Sequence, residues 1–402
     1  MKIAIIGAGA AGYFAAIHAA KKGFDTWIFE KGNKTLSKVK VSGGGRCNVT
    51  NVISEPGLLV RNYPRGNKEL RGPFTKFNST DTVNWFQERG VVLKAEPDGR
   101  MFPVTDSSQT IIDCLTNETL KLGVKIKLNC SVMKIVKVDS LFELTFNNNE
   151  TAQFNSVIVA TGGNPSLNSY QWLQQLGHTI IPPVPSLFTF NIPDSPFKEI
   201  MGVSVQEVLV KIQGTKFEQE GPLLFTHWGL SGPAVLKLSA WGARWLNERK
   251  YDFNVSVNFI PSLSEAEVQN ILSDISRAHP SKKIHNTPGF NLPSRLWLIL
   301  CSNSEIDDER KWSEIGKAKF QKLIHSLMQF NVHVKGKTTF KEEFVTCGGV
   351  ALNEVNMQTM ESKIVKGLYF AGEILDIDGI TGGFNFQAAW TTGFIAGNSP
   401  DA

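Results

Sequence analysis

A strand–turn–helix–strand pattern in the first thirty residues constrains the fold of this chain most strongly. Lys2–Ile6 is a short β-branched run typical of a buried parallel strand. The glycine turn Gly7–Gly12 (G-A-G-A-A-G) follows, then an alanine-rich helical segment from Tyr13 to Lys22 and a second strand, Thr26–Phe29. Glu30 ends that strand, 18 residues after the last glycine of the turn. This order of strand, glycines, helix, strand and acid predicts a Rossmann-like dinucleotide-binding unit.

Each glycine of this turn has a predicted physical role. Gly7 allows the tight turn, Gly9 lets backbone N–H groups approach a pyrophosphate, and Gly12 lets the helix pack closely on the strand. The helix N-terminus, with Ala11 in its first turn, offers unpaired N–H donors and the positive end of its dipole. We expect Glu30 to accept hydrogen bonds from ribose hydroxyls and to repel a 2′-phosphate. Both NAD and FAD satisfy these requirements.

Composition narrows the class of protein further. The chain has 402 residues, enough for two or three domains, with 42% hydrophobic and 20% charged residues and no apolar run long enough to span a bilayer. The net charge of +5 is scattered, which favours a solvated surface over a nucleic-acid partner. The five cysteines include no closely spaced pair and the seven histidines form no ligand motif. These counts predict a reducing, cytoplasmic environment, no disulfide framework and no metal site.

A second glycine-rich segment, Ser42–Asn48 (S-G-G-G-R-C-N), is too flexible to form a favourable default structure. We interpret it as a loop laid against a flat or charged ligand, and a plain surface loop is the alternative. The guanidinium of Arg46 would then be available to a phosphate or a flavin carbonyl. Cys47 is more often a packing residue than a nucleophile. The predicted cofactor contacts from this segment are Gly44, Arg46, Cys47 and Asn48.

The middle of the first domain yields further elements. A helix is predicted from Gln109 to Leu122, followed by a strand at Val124–Leu128 and a β-meander from Val132 to Phe154. Ser156–Ala160 is another buried strand, and it ends on Thr161-Gly162-Gly163. Backbone at such a strand end approaches a bound nucleotide, so Thr161 and Gly162 are predicted to contact it.

A proline cluster at Pro182–Pro185 marks a change in the chain. We predict a first part of the nucleotide-binding domain at residues 1–185, an inserted substrate or cap domain at 186–344, and a C-terminal part of the first domain at 345–402. The insert is expected to be β-rich with a helical segment at about 262–328. Its predicted elements are strands Ser204–Ile212, Gly221–Phe225, Tyr251–Ile260, Phe330–Lys335 and Thr339–Glu343, and helices Val235–Leu246, Ser264–Arg277 and Trp312–Met328.

The C-terminal part returns to nucleotide-binding features. The strand Gly367–Ala371 ends on Gly372 and Glu373, and the carboxylate of Glu373 can accept hydrogen bonds from ribityl hydroxyls. A helix start near Asn385 and Phe386 would point its dipole at the N1/C2 edge of a flavin. A purely structural last strand and helix is the alternative. This additional surface suits a longer ligand, so FAD is favoured over NAD.

On these residues the chain resembles the two-dinucleotide-binding-domain flavoproteins. More closely, it resembles the bacterial family of BaiN-type or aminoacetone-oxidase-like NAD(P)/FAD-dependent oxidoreductases. The resemblance covers nearly the whole chain and rests on Ser42–Asn48, Phe225–Pro233 and Gly372–Asn385. It implies non-covalent FAD, an α/β fold with a Rossmann-like FAD-binding domain (parallel sheet plus β-meander), and an inserted β-rich domain over the flavin face.

The resemblance also implies a set of FAD contacts, with Val132 as a backbone contact to adenine. The implied residues are Gly9, Ala11, Glu30, Lys31, Gly44, Arg46, Asn48, Val132, Gly372, Glu373 and Asn385. In one departure, Cys347 stands where relatives carry a small apolar residue before Gly-Gly.

The expected function is hydride transfer between flavin N5 and a small-molecule substrate held between the first domain and the insert. NAD(P)H is a candidate electron donor, although the chain has no second complete G-x-G-x-x-G unit. His227 is a candidate proton donor in the turn T-H-W-G, a hinge role being equally open, and Arg100 and Tyr63 are candidate substrate contacts.

Two alternative functions stay open. One is an amine-type oxidase that uses oxygen. The other is an RNA-binding or RNA-modifying flavoprotein, which an insert without arginine–aromatic alternation does not favour. Nothing in the sequence indicates an oligomeric state.

Overall fold

The computed structural model describes residues 1–193, 195–338 and 345–400. The chain divides into two compact units, one formed by Met1–Ser186 with Phe340–Ala402 and the other by Leu187–Thr339. The strand predicted at Thr339–Glu343 lies outside the described residues.

A seven-stranded sheet forms the centre of the first unit. Across the sheet its strands are Val355–Asn356, Glu361–Ser362, Leu368–Phe370, Ser156–Val159, Lys2–Ile6, Asp25–Phe29 and Lys125–Lys127. The last five of these run parallel, and the first two pair antiparallel. Ser156–Val159 is buried along its whole length, as is typical of a central parallel strand with both faces covered. The prediction of a Rossmann-like parallel sheet is confirmed.

Two helices of this unit approach each other at backbone distance. They are Ala10–Lys21 and Phe384–Asn398. A Cβ added at Gly393 would lie 2.7 Å from the carbonyl oxygen of Ala11, and one added at Gly397 would lie 2.4 Å from that of Ala15. The final helix therefore needs glycine on the face that meets the first helix.

The first unit also contains three smaller sheets. The predicted β-meander is present as Val132–Val138, Leu141–Phe146 and Thr151–Phe154. A second three-stranded sheet is formed by Thr50–Asn51, Arg100–Pro103 and Leu93–Ala95, and Ile180–Ser186 pairs with Val345–Val350. The other α-helices described in this unit are Ser37–Gly45, Pro56–Leu59, Pro73–Lys76, Ser79–Gln87, Ser108–Lys121 and Gln171–Gln175.

The second unit contains an antiparallel sheet of seven strands. In spatial order these are Phe330–Lys335, Asp252–Asn258, Ser204–Ile212, Glu218–Thr226, Gly229–Ser231, Thr189–Asn191 and Lys337–Thr338. Its described α-helices are Pro233–Trp241, Ala243–Glu248, Glu265–Ala278, Ser294–Asn303 and Gly316–Met328. The single helix predicted at Val235–Leu246 is wrong, because Gly242 leaves helical geometry (φ −86°, ψ 3°) and separates two short helices. The side chains of Phe225, Leu238 and Trp297 belong to the buried core.

Within the described ranges, no helix has both the length and the apolar character that a membrane span requires. The same ranges contain no group of three or more His, Cys, Asp or Glu side chains arranged to hold a metal ion.

Candidate functional site

Five parallel strands of the first unit end at one edge of its central sheet. Lys2–Ile6 lies between Ser156–Val159 and Asp25–Phe29, so the strand order reverses beside it. In parallel α/β sheets, ligands bind outside the carboxyl ends of the strands at such a point. The predicted cofactor residues after these strands therefore meet at one edge.

The three glycines of the first turn have different surroundings. Gly7 has a φ of 106° and Gly12 sits beneath it, so that a Cβ at Gly7 would lie 2.4 Å from the oxygen of Ala160 and one at Gly12 would lie 2.0 Å from that of Gly7. A Cβ at Gly9 would meet nothing within 4 Å. Gly7 and Gly12 thus allow close packing, whereas Gly9 keeps space open.

Gly9 is also the N-cap of the first helix. No side chain caps this helix, and its first turn carries no acidic residue. Its N-terminal N–H groups are therefore suited to an anion. Ala11, in the first turn, is buried, and a Cβ added at Gly372 would lie 2.8 Å from its methyl group.

Glu30 holds the backbone around the turn. One carboxylate oxygen accepts from the N–H of Ala8 at 2.9 Å, and the other accepts from Gly32 at 2.8 Å. Since each carboxylate oxygen has a second lone pair, Glu30 retains the capacity to accept from a ribose hydroxyl. Lys31 follows as an exposed residue, and Val132 opens the first strand of the meander.

The segment Ser42–Asn48 departs from the helix Ser37–Gly45 in which it begins. Ser42 is extended, and Gly43, Gly44 and Gly45 have φ values of 57°, 69° and 85°. A Cβ at Gly44 or Gly45 would meet nothing within 4 Å, whereas one at Gly43 would lie 2.9 Å from the ring of Phe102. This segment therefore has left-handed backbone with open space beside Gly44 and Gly45, and its role as a loop against a ligand stays a prediction.

Two residues of this segment point into the protein. Cys47 is fully buried, and burial raises the pKa of its thiol to about 12. The thiol of Cys47 is therefore a packing group and not a nucleophile. In the amide orientation that satisfies both of its ends, Asn48 donates to the carbonyl of Thr50 at 3.0 Å and accepts from the N–H of Gly383 at 2.9 Å. Asn48 thus caps the final helix.

Arg46 is engaged by carboxylates. Its Nη1 lies 2.6 Å from Glu96 and 3.5 Å from Asp106, and its guanidinium carbon lies 4.0 Å from the ring centroid of Phe102. Both carboxylates contact Nη1 and the side chain is 34% exposed, so a contact from the guanidinium to a phosphate or a flavin carbonyl stays a prediction. Arg100 pairs with the same Glu96 at 2.8 Å, and its Nε bonds to Asp98 at 2.6 Å.

Glu373 joins three segments at the strand edge. One oxygen accepts from the N–H of Thr346 at 2.7 Å, and the other is 2.7 Å from the ammonium of Lys38. A Cβ at Gly163 would lie 2.8 Å from the first of these oxygens. Gly162, by contrast, has a φ of 71° and open space on its Cβ side, and Thr161 is exposed.

The start of the final helix is fixed by side chains around it. Gly383 is its N-cap, with a φ of 91°. The amide of Asn385 bonds to both the N–H and the carbonyl of Gly379, at 2.8 and 2.9 Å, and closes the preceding loop. Phe386 stacks on Trp390 with 5.7 Å between ring centroids. The predicted helix start is therefore present, and Asn385 shapes the loop that leads into it.

Of the three candidate substrate contacts, Tyr63 is fully buried, and its hydroxyl donates to the carbonyl of Phe384 at 2.6 Å. This burial raises the pKa of Tyr63 well above its usual value. A direct substrate contact by Tyr63 disagrees with such burial. His227 lies in the second unit, where it is exposed in a two-residue hairpin turn whose other residue, Trp228, is partly buried. In the first unit, Tyr63 and Arg100 are both bonded to other groups: Tyr63 to the carbonyl of Phe384, and Arg100 to the carboxylates of Glu96 and Asp98.

Sequence reasoning missed several buried polar residues around this edge. Gln387 accepts from the hydroxyls of Thr50 and Thr82 at 2.6 and 2.8 Å. The carboxylate of Asp378, which is also fully buried, accepts hydrogen bonds from the guanidinium of Arg65 and from the hydroxyl of Ser186. These partners are distant in sequence and follow no periodicity. The signal for Lys38 was its place in the lysine-bearing stretch before the glycine-rich segment, four residues ahead of Ser42.

The residues present fit FAD. The open glycines, Gly9, Gly44 and Gly162, leave room for a long ligand beside backbone N–H groups, and Glu30 and Glu373 supply acceptors at two points along the edge. The fold and this edge define a Rossmann-type flavoprotein.

The chain belongs to the HI0933-like family: the family model described as "HI0933-like protein Rossmann domain" matches residues 1–399. It is 34% identical over 397 residues to the ribosomal RNA dihydrouridine synthase of Escherichia coli K12, covering 96% of this chain and 95% of the relative. It is 29% identical over 408 residues to the 3-dehydro-bile acid delta(4,6)-reductase of Clostridium scindens, covering 99% and 98%. The resemblance stated from the sequence, to a family of FAD-dependent oxidoreductases, is thereby confirmed.

Solved structures show the same fold. A flavocytochrome c3 fumarate reductase in an open conformation aligns with a TM-score of 0.51 and 16% identity, covering 99% of this chain and 77% of that one. The 3-ketosteroid-delta4-(5alpha)-dehydrogenase of Rhodococcus jostii RHA1 aligns with a TM-score of 0.51 and 14% identity, covering 98% and 96%.

Proposed function

We propose that this protein is an FAD-dependent reductase of a carbon–carbon double bond conjugated to a carbonyl group, with uridine in ribosomal RNA as its substrate. The observation that carries the proposal is the open glycine edge of a Rossmann sheet in a chain whose full-length relatives are named for this type of reduction. Dihydrouridine is uridine with a saturated 5,6-bond. A 3-dehydro-bile acid with delta(4,6) unsaturation is a conjugated ketone.

Both reductions require the same elementary steps. For each double bond, a hydride adds to the electrophilic end of the conjugated system (the carbon β to the carbonyl, or δ for the outer double bond of a dienone) and a proton to the neighbouring carbon, so that each saturated double bond gains two electrons and two hydrogens. Bound FAD supplies the chemistry of hydride transfer between a donor and the substrate. The proposed electron donor, which reduces the flavin, is NAD(P)H.

The contribution of the chain is to hold and orient the cofactor. The N-terminus of the helix Ala10–Lys21 offers N–H groups and a positive dipole end to phosphates. The N-terminus of the helix Phe384–Asn398 can favour negative charge on a group placed before it, and Asn48 and Asn385 fix its position. A rigid support of this kind allows the reacting atoms to be held at attack distance.

Uridine in ribosomal RNA differs from the small-molecule substrate that the sequence led us to expect. Two relatives bear the name ribosomal RNA dihydrouridine synthase, at 34% and 31% identity over nearly the full length of both chains. The bile-acid reductase has 29% identity. A small cyclic enone is therefore the second candidate substrate, and it is favoured by that one relative.

A complementation experiment tests the proposal. We would express the chain in an E. coli K12 strain that lacks its ribosomal RNA dihydrouridine synthase and measure dihydrouridine in digested ribosomal RNA by mass spectrometry. Restoration of dihydrouridine is the expected result. A flavin-containing protein that leaves the rRNA unmodified, yet reduces a 3-oxo-4,6-diene steroid in vitro, would replace the first candidate substrate by the second.

The spectrum of the purified protein tests the cofactor and the donor. We expect the absorption bands of oxidised flavin and their bleaching by NADH or NADPH without oxygen. Rapid peroxide formation from an amine would instead indicate an amine-type oxidase. A colourless protein that binds no added FAD would contradict the cofactor.

A further inference from the structure

We propose that Lys38 has two roles at the cofactor edge: it holds the carboxylate of Glu373 in place, and it supplies positive charge to the pyrophosphate of FAD. This inference depends on FAD binding and not on the identity of the substrate.

The backbone places Lys38 beside the glycine turn. The N–H of Leu36 donates to the carbonyl of Ala8 at 2.8 Å, which anchors the segment before Lys38 to the residue preceding Gly9. Leu36 is 1% exposed and has a φ of 55°, so the chain turns sharply there and starts the helix Ser37–Gly45. Lys38 is thus held two residues from a contact with the pyrophosphate-binding turn.

The side chain of Lys38 extends to Glu373, the acidic residue that follows the strand Leu368–Phe370 and Gly372. Its ammonium lies 2.7 Å from Oε2 of Glu373. Glu373 directly follows Gly372, whose missing Cβ would come within 2.8 Å of the methyl group of Ala11, in the first turn of the first helix. The ammonium and the N-terminal turn of that helix therefore border the same part of the edge.

The negative charges at this edge of the sheet would be stabilised by a nearby cation. Glu30 and Glu373 both lie beside backbone that is suited to a pyrophosphate, which itself carries about two negative charges at neutral pH. Glu30 is balanced by the N–H groups of Ala8 and Gly32. Glu373 has one N–H donor, from Thr346, and the ammonium of Lys38. Without Lys38, the Glu373 carboxylate would repel the phosphates that the helix N-terminus attracts.

The side chain also has the adaptability that this role requires. It is 48% exposed, whereas Glu373 is 20% exposed, so the ammonium can move toward a phosphate while its stem stays in place. A lysine acts as a mobile point charge and keeps three donors, which allows one ammonium to serve a carboxylate and a phosphate together.

The experiment compares Lys38→Met with Lys40→Met in the flavin-free full-length chain. Lys40 is a matched control, because it lies two residues further on in the same helix and its ammonium bonds to the side chain of Gln109. Affinities for FAD, ADP and riboflavin would be measured by calorimetry or flavin fluorescence. The ADP probe contains the pyrophosphate without the flavin, and riboflavin contains the flavin and the ribityl chain without phosphate.

We expect Lys38→Met to weaken both FAD and ADP about tenfold or more and to change riboflavin affinity less than twofold. Lys38→Arg should retain most of the ADP affinity, and Lys40→Met should change all three affinities less than twofold. The salt dependence of FAD binding should also become shallower in Lys38→Met, because one phosphate-directed cation is lost.

Unchanged ADP affinity in Lys38→Met would overturn the proposal, as would a loss confined to riboflavin, which would mean that Lys38 acts through Glu373 alone. Circular dichroism and urea unfolding establish that each variant is folded. If Lys38→Met fails to fold, Lys38→Gln and the rate of FAD release from the holoprotein provide the same comparison, with faster and less salt-dependent release expected.

Discussion

The hydroxyl of Thr50 donates to the side-chain oxygen of Gln387 at 2.6 Å, with both residues fully buried. The same oxygen accepts from Thr82 at 2.8 Å, and the amide nitrogen of Gln387 donates to Thr391. One glutamine in the final helix therefore joins the strand after the glycine-rich loop to the helix Ser79–Gln87. A buried polar network of this kind fixes the relative position of the segments that it connects.

Replacing Gln387 by leucine should destabilise the protein by about 2–4 kcal/mol, because two buried threonine hydroxyls lose their acceptor. The measurement is urea unfolding of the wild-type and variant chains. Gln269→Leu, at an exposed position of the helix Glu265–Ala278, is the control and should change stability by less than about 0.5 kcal/mol. Equal stabilities for the two variants would contradict the structural role of Gln387.

Replacing Gly9 by alanine should weaken FAD binding and leave the stability of the flavin-free protein unchanged. Its φ of −88° suits alanine and its Cβ side is open, so the flavin-free variant should keep its stability within about 0.5 kcal/mol. The methyl group would occupy the space that FAD needs, and bound flavin should fall at least tenfold. Gly12→Ala is the contrasting variant, because its Cβ would lie 2.0 Å from a carbonyl oxygen and should prevent stable folding. A Gly9→Ala protein that retains full flavin occupancy would show that FAD does not approach this turn.

His18 should make the protein sensitive to acid. Its ring is buried between Phe14 and Phe394, and burial lowers its pKa to about 3. The unfolded chain therefore binds a proton at this residue below pH 6.5, whereas the folded chain does not until pH 3. Stability from His18 is present above pH 6.5 and is lost as the pH falls through this window, by up to about 1.4 kcal/mol per pH unit.

Unfolding measured from pH 7 to pH 4 checks this expectation. His18→Phe should flatten the profile, and His325→Phe, at an exposed position, should leave it unchanged. The same slope in wild type and His18→Phe would assign the acid sensitivity to other groups.

Asp378→Ala should be more harmful than removing both members of its ion pair. Asp378 is fully buried and Arg65 is 10% exposed, so the single substitution leaves a guanidinium charge without its carboxylate and should cost about 3–5 kcal/mol. Replacing the pair by Arg65→Met and Asp378→Leu should cost less. Chemical unfolding of the single and double variants provides the comparison. Asp274→Ala, which breaks the exposed pair with Arg277, should change stability by less than about 1 kcal/mol.

The sequence predicted the parallel sheet and its edge well, because the signals are local. The β-branched run Lys2–Ile6, the glycines after it and the acid Glu30 are close together in the chain, and each follows from a backbone requirement. The meander and the final helix were found for similar reasons, from alternation and from a glycine-rich start.

Side-chain partners were not predictable in the same way. Arg46 turns toward Glu96, 50 positions along the chain, and Tyr63 toward the carbonyl of Phe384, 321 positions along. Neither pairing has a periodic or local signature, since both depend on how distant segments pack. A motif indicated that Arg46 belonged to the cofactor loop, but only the packing determined which way its guanidinium points.

The ladder between Ile180–Ser186 and Val345–Val350 brings Ser186 opposite Val345, so the chain leaves and re-enters the first unit at neighbouring positions. A segment of more than 150 residues can be added between two such points at little entropic cost to the surrounding fold. We therefore expect that replacing residues 187–338 by a short turn, or by the corresponding segment of a relative, leaves the closing strand pair intact. Such connection points would let this segment be exchanged among relatives while the sheet edge of the first unit is inherited unchanged.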